Sequence, residues 1–217
     1  MSKAKELLYT VGIESLFIAF MENKKDTRDE LPTYEPEIYR MDNIVTIGIA
    51  GNPSQITKWA SNKLFVSATK NSRFTLNLTH VALPQEVKDK MKGLTHQKGV
   101  AFERGGVVEY PYFALGFIAP LSDGSRLARW YPKCQMTITE ETFQTQEEET
   151  EVRDITNVFE ATPLLFNDVT VADFSEVRDS ANGITAEDFM KQVITDETQL
   201  SLLTPNGGES SGGGTGE

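Results

Sequence analysis

Cysteine is nearly absent. Cys134 stands alone, and only two histidines, His80 and His96, accompany it. A lone thiol excludes an internal disulfide framework and any multi-cysteine zinc site. Two imidazoles leave metal chemistry by soft ligands close to excluded. Long hydrophobic runs are missing as well: none reaches about 18 apolar residues, so no transmembrane helix is expected. The opening Met1–Glu6 is not a signal peptide, because the apolar stretch from Leu7 to Met21 is broken by Glu14 and has no small-residue cleavage site. The expected place of synthesis is a reducing cytoplasm. Basic charge is scarce too, with Lys+Arg 21 against Asp+Glu 32 and a net charge of -11. Wrapping DNA needs a basic surface and is disfavoured; DNA sliding past a repulsive wall is not.

What is present is strand-forming sequence. Hydrophobic residues make up 39% of the 217 residues, enough for the core of one large domain. The centre of the pattern is Tyr110–Met136. Tyr112–Ala119 is a continuous apolar and aromatic run, which predicts a strand buried on both faces. Asp123-Gly124 is a strong hairpin turn, because Gly accepts positive φ at little cost. Arg126–Tyr131 returns as a strand of mixed character. Val11–Met21 and Ile44–Ala50 predict two further strands, the second closed by Gly51-Asn52-Pro53. Ser54–Asn62 is ambiguous, and Lys63–Ala68 reads as a short strand. Arg73–Val81 alternates, with Phe74, Leu76 and Leu78 on one side and Arg73, Thr75, Asn77 and Thr79 on the other.

That strand runs into a helix, Leu83–Leu94. It has Pro84 at its start, acid in its first turn, late lysines and Gly93 at the C-terminal cap position. Leu83, Val87, Met91 and Leu94 form one apolar stripe. Cys134–Ile138 and Val152–Leu165 predict a second antiparallel pair around an acidic segment. Thr185–Ile194 predicts a short helix capped by Thr185, with Asp188 in the reciprocal capping position. Gly207–Glu217 is rich in Gly and Ser and predicts disorder. The fold class expected is mainly β: an antiparallel β-sandwich or barrel with one flanking α-helix and long loops or arms. One domain is expected over residues 1–205, followed by a disordered tail over 206–217.

Chemistry is sparse. Gly51–Lys58 has the outline of a phosphate loop but lacks the second Gly before Lys, so a turn is the better reading. Neither histidine has a nucleophile or carboxylate placed by sequence, and both read as ordinary surface or edge residues. Cys134 reads as a buried structural thiol. The Asn77-Leu78-Thr79 sequon serves only a secreted chain. No catalytic, cofactor or metal residue is assigned, and no enzyme activity is expected.

Two charged segments remain. Glu22–Glu37 holds nine charged residues and two prolines, which predicts a flexible loop or arm. It is either plain disorder or an arm that orders on a neighbouring subunit. The acidic segment holds Glu140, Glu141, Glu147, Glu148, Glu149, Glu151 and Asp154 against Arg153 alone. A Glu147–Glu149 run on a strand sends side chains to both faces, unlike the converging acids of a Mg²⁺ or Ca²⁺ loop. A solvated acidic surface is the reading, including the special case of a surface that repels a polyanion.

The order of these elements resembles the major tail proteins, or tail tube proteins, of long, non-contractile-tailed bacteriophages, particularly those of Gram-positive hosts. Four stretches carry the resemblance: Gly12–Ala19; Phe74–Leu94 with Leu83-Pro84 and Gly93-Leu94; Tyr112–Phe117 with the Asp123-Gly124 turn and Trp130-Tyr131; and Phe143 with Glu147–Pro163 and Thr162-Pro163-Leu164. Many such proteins add an immunoglobulin-like C-terminal domain, where this sequence has a short helix and a Gly-rich tail. The resemblance implies a structural virion protein without cofactors. Its copies would form hexameric rings stacked into a hollow tube, with hairpin strands joining a continuous lumen-lining barrel and arms bridging rings. It also implies assembly in the host cytoplasm, partnership with a tape measure protein, a tail-tip initiator and a tail terminator, and DNA passing through without specific binding. On this reading the acids at 140–154 are the candidate lumen surface, and Glu22–Glu37 is the arm toward an adjacent ring. The runner-up is a tail terminator or neck ring protein. A carbohydrate-binding or hydrolytic β-sandwich is the candidate from another class, and it requires exposed aromatics and a convergent carboxylate pair around one cleft.

Overall fold

The computed structural model describes residues 7–22, 26–60, 63–103, 109–137 and 154–205, and within these not the side chains of 54–60 and 63–72. The strands are β1 (Ser15–Met21), β2 (Tyr34–Met41), β3 (Ile44–Ala60), β4 (Lys63–His80), β5 (His96–Gln97), β6 (Val100–Ala101), β7 (Phe113–Pro120), β8 (Arg126–Met136), β9 (Ile155–Ala161) and β10 (Ala172–Ser175). The α-helices are α1 (Gln85–Lys92) and α2 (Ala186–Met190), and short 3-10 helices lie at Asp179–Ala181 and Glu197–Leu202. The fold is mainly β and antiparallel, as expected. All strands except β5 and β6 belong to one eight-stranded sheet in the order β2-β1-β7-β8-β9-β4-β3, with β10 added beside the first half of β8. Its two outermost strands, β2 and β3, are joined by Asp42-Asn43 alone. The sheet therefore rolls until its ends meet without pairing.

The centre follows the apolar runs. Every residue of β1 is buried, and so is every residue of β7 up to Pro120. Alternation divides them between two cores. Leu16, Ile18, Phe20, Phe113, Leu115 and Phe117 face one, together with Leu76, Leu78 and Phe159. Phe17, Ala19, Ala114 and Ile118 face the other, together with Trp130. The Asp123-Gly124 turn closes the hairpin as expected. Gly124 has φ 86° and Asp123 Oδ1 accepts from the Ser125 amide at 3.0 Å. The acid-flanking pair is also present, with Cys134, Gln135 and Met136 opposite Ala161, Glu160 and Phe159.

Each core has its own cover. On the first, α1 lays Val87 and Met91 with Leu83 ahead of them, and Gly93 ends it in the left-handed conformation at φ 65°. On the second, α2 lays Ala186, Phe189 and Met190, followed by Val193 and Ile194. The expectation of one flanking helix is corrected on this point. Two helices cover opposite faces, because central strands that are apolar on both sides need two covers. The Thr185–Asp188 capping box of α2 is formed as read from sequence.

Two further expectations are corrected. Gly51-Asn52-Pro53 does not close the second strand: β3 runs through it for 17 residues, and the expected short strand at Lys63–Ala68 is part of an 18-residue β4. Proline lacks a ladder N–H, but β3 is an edge strand and its register shifts between Gly51 and Pro53, so the missing donor is tolerated. Nor is Glu22–Glu37 a free arm over its described residues. Tyr34–Glu37 lies in β2, and the Glu22 amide donates to the Thr33 carbonyl at 2.8 Å, closing the base of a β1–β2 loop. The tail at 206–217 lies outside the described residues.

The sheet is closely packed at Gly116, where a Cβ would fall 2.5 Å from Trp130 Cε3 and 2.8 Å from Cδ2. Gly116→Ala is expected to destabilise the fold by about 2 kcal/mol or more, in the range of overpacked cores, measured by urea unfolding. A wild-type midpoint would contradict the packing. A second test concerns Asp188. The Lys191 ammonium at 2.7 Å, with help from Thr185, holds its carboxyl down at about 2 from an ordinary 3.8. A depressed carboxyl stabilises the fold above its unfolded pKa, and that contribution is lost as pH falls through the folded value. Wild type should lose stability relative to Asp188→Asn between pH 4 and pH 2. Parallel stability curves across that window would rule this out.

Candidate functional site

Beyond Phe74, whose partner Ala161 ends β9, the hairpin continues without a third strand. Pro53–Ala60 pairs only with Lys63–Asn71 among the described residues. A two-stranded ribbon is marginal by itself in water. Its outer strand is also the free edge of the sheet among the described residues. From Ile44 to Asn52 that edge carries neither a charged residue nor a proline, and Val45 and Ile49 are exposed on it. Charged side chains and prolines are the usual guards of a strand edge. β2, at the other end of the sheet, has them in Glu35, Pro36, Glu37 and Arg40. The described surface thus offers one guarded edge and one open edge. The ambiguity over Ser54–Asn62 hid this. The β-branched and aromatic residues Ile56, Thr57 and Trp59 were the available strand signal.

The β1–β2 loop is pinned to the sheet. Asp26 Oδ2 accepts from Lys133 Nζ at 2.7 Å and from the Leu165 amide at 2.8 Å. The two side chains retain 1% and 8% exposure respectively. Lys133 Nζ also lies 4.8 Å from the Tyr112 ring centre, a cation–π contact. Tyr34, whose hydroxyl donates to the Pro132 carbonyl at 2.8 Å, is half-buried beside them, and desolvation there raises its pKa well above 10.0. The pin joins three segments distant in sequence: the loop, β8 and the turn after β9. No local pattern announces such a pair; only a lysine amid the buried strand run of β8 hinted at a partner.

The remaining chemical candidates resolve as structure. His80 is fully buried, which corrects the surface or edge expectation. Its Nε2 lies 2.6 Å from Asn157 Oδ1. His96 is exposed in β5. Cys134 is buried in the first core, and burial pushes its thiol far above its ordinary range, so it is held neutral. Gly51–Lys58 is extended strand, not a phosphate loop. A shallow cavity of about 350 Å³ opens beside Glu22, Glu35 and the end of α1. Its one cation, Lys90, is engaged by the Tyr39 hydroxyl at 2.9 Å and Glu35 at 3.0 Å. It lies over the Phe20 and Tyr39 rings. The Tyr39 and Glu35 hydrogen bonds raise its pKa, keeping it charged. Among the described residues no three of His, Cys, Asp and Glu come together as a metal site, and no helix is long and apolar enough to cross a membrane.

Of the acids proposed for a lumen surface, Glu140, Glu141, Glu147, Glu148, Glu149 and Glu151 lie outside the described residues. Asp154 is exposed immediately before β9, whose first residue pairs with His80. No protein-family model matches the chain, and no curated protein matches it either.

The pin yields a direct test. Removing one member of a buried ion pair strands the other charge, so Asp26→Ala is expected to cost about 3–5 kcal/mol. It should also expose the loop to limited proteolysis between β1 and β2. Adding Lys133→Met to Asp26→Ala should return part of the stability. A double variant no more stable than the single one would show that the cost is not an unpaired charge.

Proposed function

We propose that this protein is a structural, self-assembling subunit of a phage tail tube. The observation that carries the reading is the open β3 edge with its projecting ribbon. An uncharged strand edge is a template for pairing with another chain, and a long hairpin that outruns its own sheet gains stability only from a partner. On the proposed reading, copies pair through this hairpin into hexameric rings, which stack into a continuous barrel. The order of strands and helix that resembles tail tube proteins supports the same reading. So does a chain whose histidines, thiol and cavity lysine are all engaged or remote from one another.

In this reading DNA passes down the lumen without specific binding. The net charge of -11 supports a wall that repels a polyanion rather than holding it. The acids from Glu140 to Asp154 are the proposed lumen surface. The protein would act in the virion, with a tape measure protein, a tail-tip initiator and a tail terminator as neighbours. On this reading any contact of the β1–β2 loop with an adjacent ring is made by a loop pinned to β8 rather than by a free arm.

Electron microscopy of the purified full chain, alone and with a tail-tip initiator, tests the reading. Long hollow tubes are expected. Single closed rings would favour a terminator, and monomers under every condition would overturn the proposal. A guard placed on the open edge should act specifically. Val45→Lys, at a position already 46% exposed, is expected to leave unfolding unchanged and abolish tubes. Normal tubes from that variant would move the pairing strand elsewhere.

A further inference from the structure

The charge of this chain is sharply segregated. No Asp or Glu occurs between Asp42 and Glu86, a span that holds Lys58, Lys63, Lys70 and Arg73. That span includes the β3–β4 hairpin, and three of its four cations lie in the ribbon of Pro53–Ala60 and Lys63–Asn71. Trp59, Leu64 and Phe65 belong to the same ribbon. In an acidic protein, the charged residues of this extension of the hairpin are all basic.

The opposite character appears in the C-terminal part. Residues 154–205 hold ten acids against Arg178 and Lys191. Within it, two turns lie side by side. Asn167, in the turn after β9, donates to the Thr195 carbonyl at 2.9 Å and to Asp196 Oδ2 at 3.3 Å, beside the short 3-10 helix Glu197–Leu202. The two turns expose Leu165 at 47%, Phe166 at 43%, Leu200 at 52% and Leu202 at 59%. Asp168 and Glu197 are exposed among them. Large apolar side chains exposed together beside acids describe a surface awaiting an apolar, basic partner.

We infer that the acid-free ribbon of one copy docks on these paired C-terminal turns of the next. The two surfaces complement each other in sign and in apolar content, and both belong to every copy. Because the ribbon and the turns are different surfaces, the contact is heterologous, and copies joined this way continue head to tail. A nucleic acid is the weaker partner. Three ribbon lysines neutralise few phosphates, and the negative excess on the rest of the chain repels the polyanion. The inference rests on the tube reading only in taking a second copy as partner. It is a contact separate from pairing along Ile44–Gly51.

The test uses the full chain carrying Val45→Lys, so that edge pairing does not contribute, and sedimentation to read association. Raising salt from about 0.05 M to about 0.5 M should weaken association by about tenfold or more. Reversing the ribbon (K58E/K63E/K70E) or the turns (D168K/E197K) should each weaken it to a similar degree with the fold intact by circular dichroism. A one-to-one mixture of the two reversed proteins should restore it, since each then offers what the other needs. A mixture no tighter than its components would overturn the inference. So would binding of a duplex DNA oligonucleotide that the ribbon reversal abolishes. If Val45 chains form no tubes but the reversed pair still associates, the tube reading fails and this contact stands.

Discussion

Gly116 leaves the space that Trp130 fills, and much of the molecule follows from that contact. Trp130 is the largest fully buried side chain, and it reaches across the sheet because the residue opposite it on β7 has no side chain. Its indole Nε1 then donates to the Phe189 carbonyl at 3.3 Å, tying α2 to the second face. A sheet centre with aromatic residues on both sides has to be covered twice. α1 follows directly from β4 and covers one side. The other side draws in the chain after β10, which is why Phe189, Met190, Val193 and Ile194 belong to a core rather than to an appendage.

Local signals made much of this readable from the sequence. The apolar run of β7, the Asp123-Gly124 turn, the alternation of β4, the ends of α1 and the Thr185–Asp188 box each depend on residues within a few positions of one another. Their structures match because the physics is equally local. The features that were not legible depend on distant partners. Asp26 belongs to a charged stretch and looks like solvent-facing sequence until Lys133 and the Leu165 amide are brought to it. His80 ends a strand and looks like an edge residue until β3 and β9 close over it with Asn157. Pro53 looks like a stop because proline breaks ladders, yet an edge strand has a side on which no donor is needed. The open edge itself could not be seen, since it is a property of strand order and not of any strand.

Average charge was a similarly limited guide. A net of -11 suggests a uniformly acidic surface, whereas the molecule holds its acids apart from its longest hairpin. Buried charge is handled separately again. The Asp26–Lys133 pair sits where desolvation works against it, and a pair so placed is weak support for stability. What it does supply is definition. It fixes the β1–β2 loop, the second half of β8 and the turn after β9 in one arrangement. Among the described residues Asp26 Oδ1 and Thr27 Oγ1 have no hydrogen-bond partner there.

The seam between β2 and β3 brings these points together. A rolled antiparallel sheet of this size can remove its edge liability by closing into a barrel. Here the two ends are only two residues apart in sequence, yet they do not pair. The Asp42-Asn43 link is bound instead to the end of β4: the Val81 amide donates to the Asn43 carbonyl at 3.1 Å, and Asn43 Nδ2 reaches the Ala82 carbonyl. Those bonds turn the start of β3 along β4 and away from β2. The edge of β2 is then protected by its proline and charges, while the edge of β3 over Ile44–Asn52 keeps its hydrogen-bonding groups and its apolar side chains with neither charge nor proline. An unguarded edge carries a standing risk of indiscriminate association. A chain that guards one edge and holds the other open has confined that risk to a single strand, and such confinement is what directed pairing between copies requires.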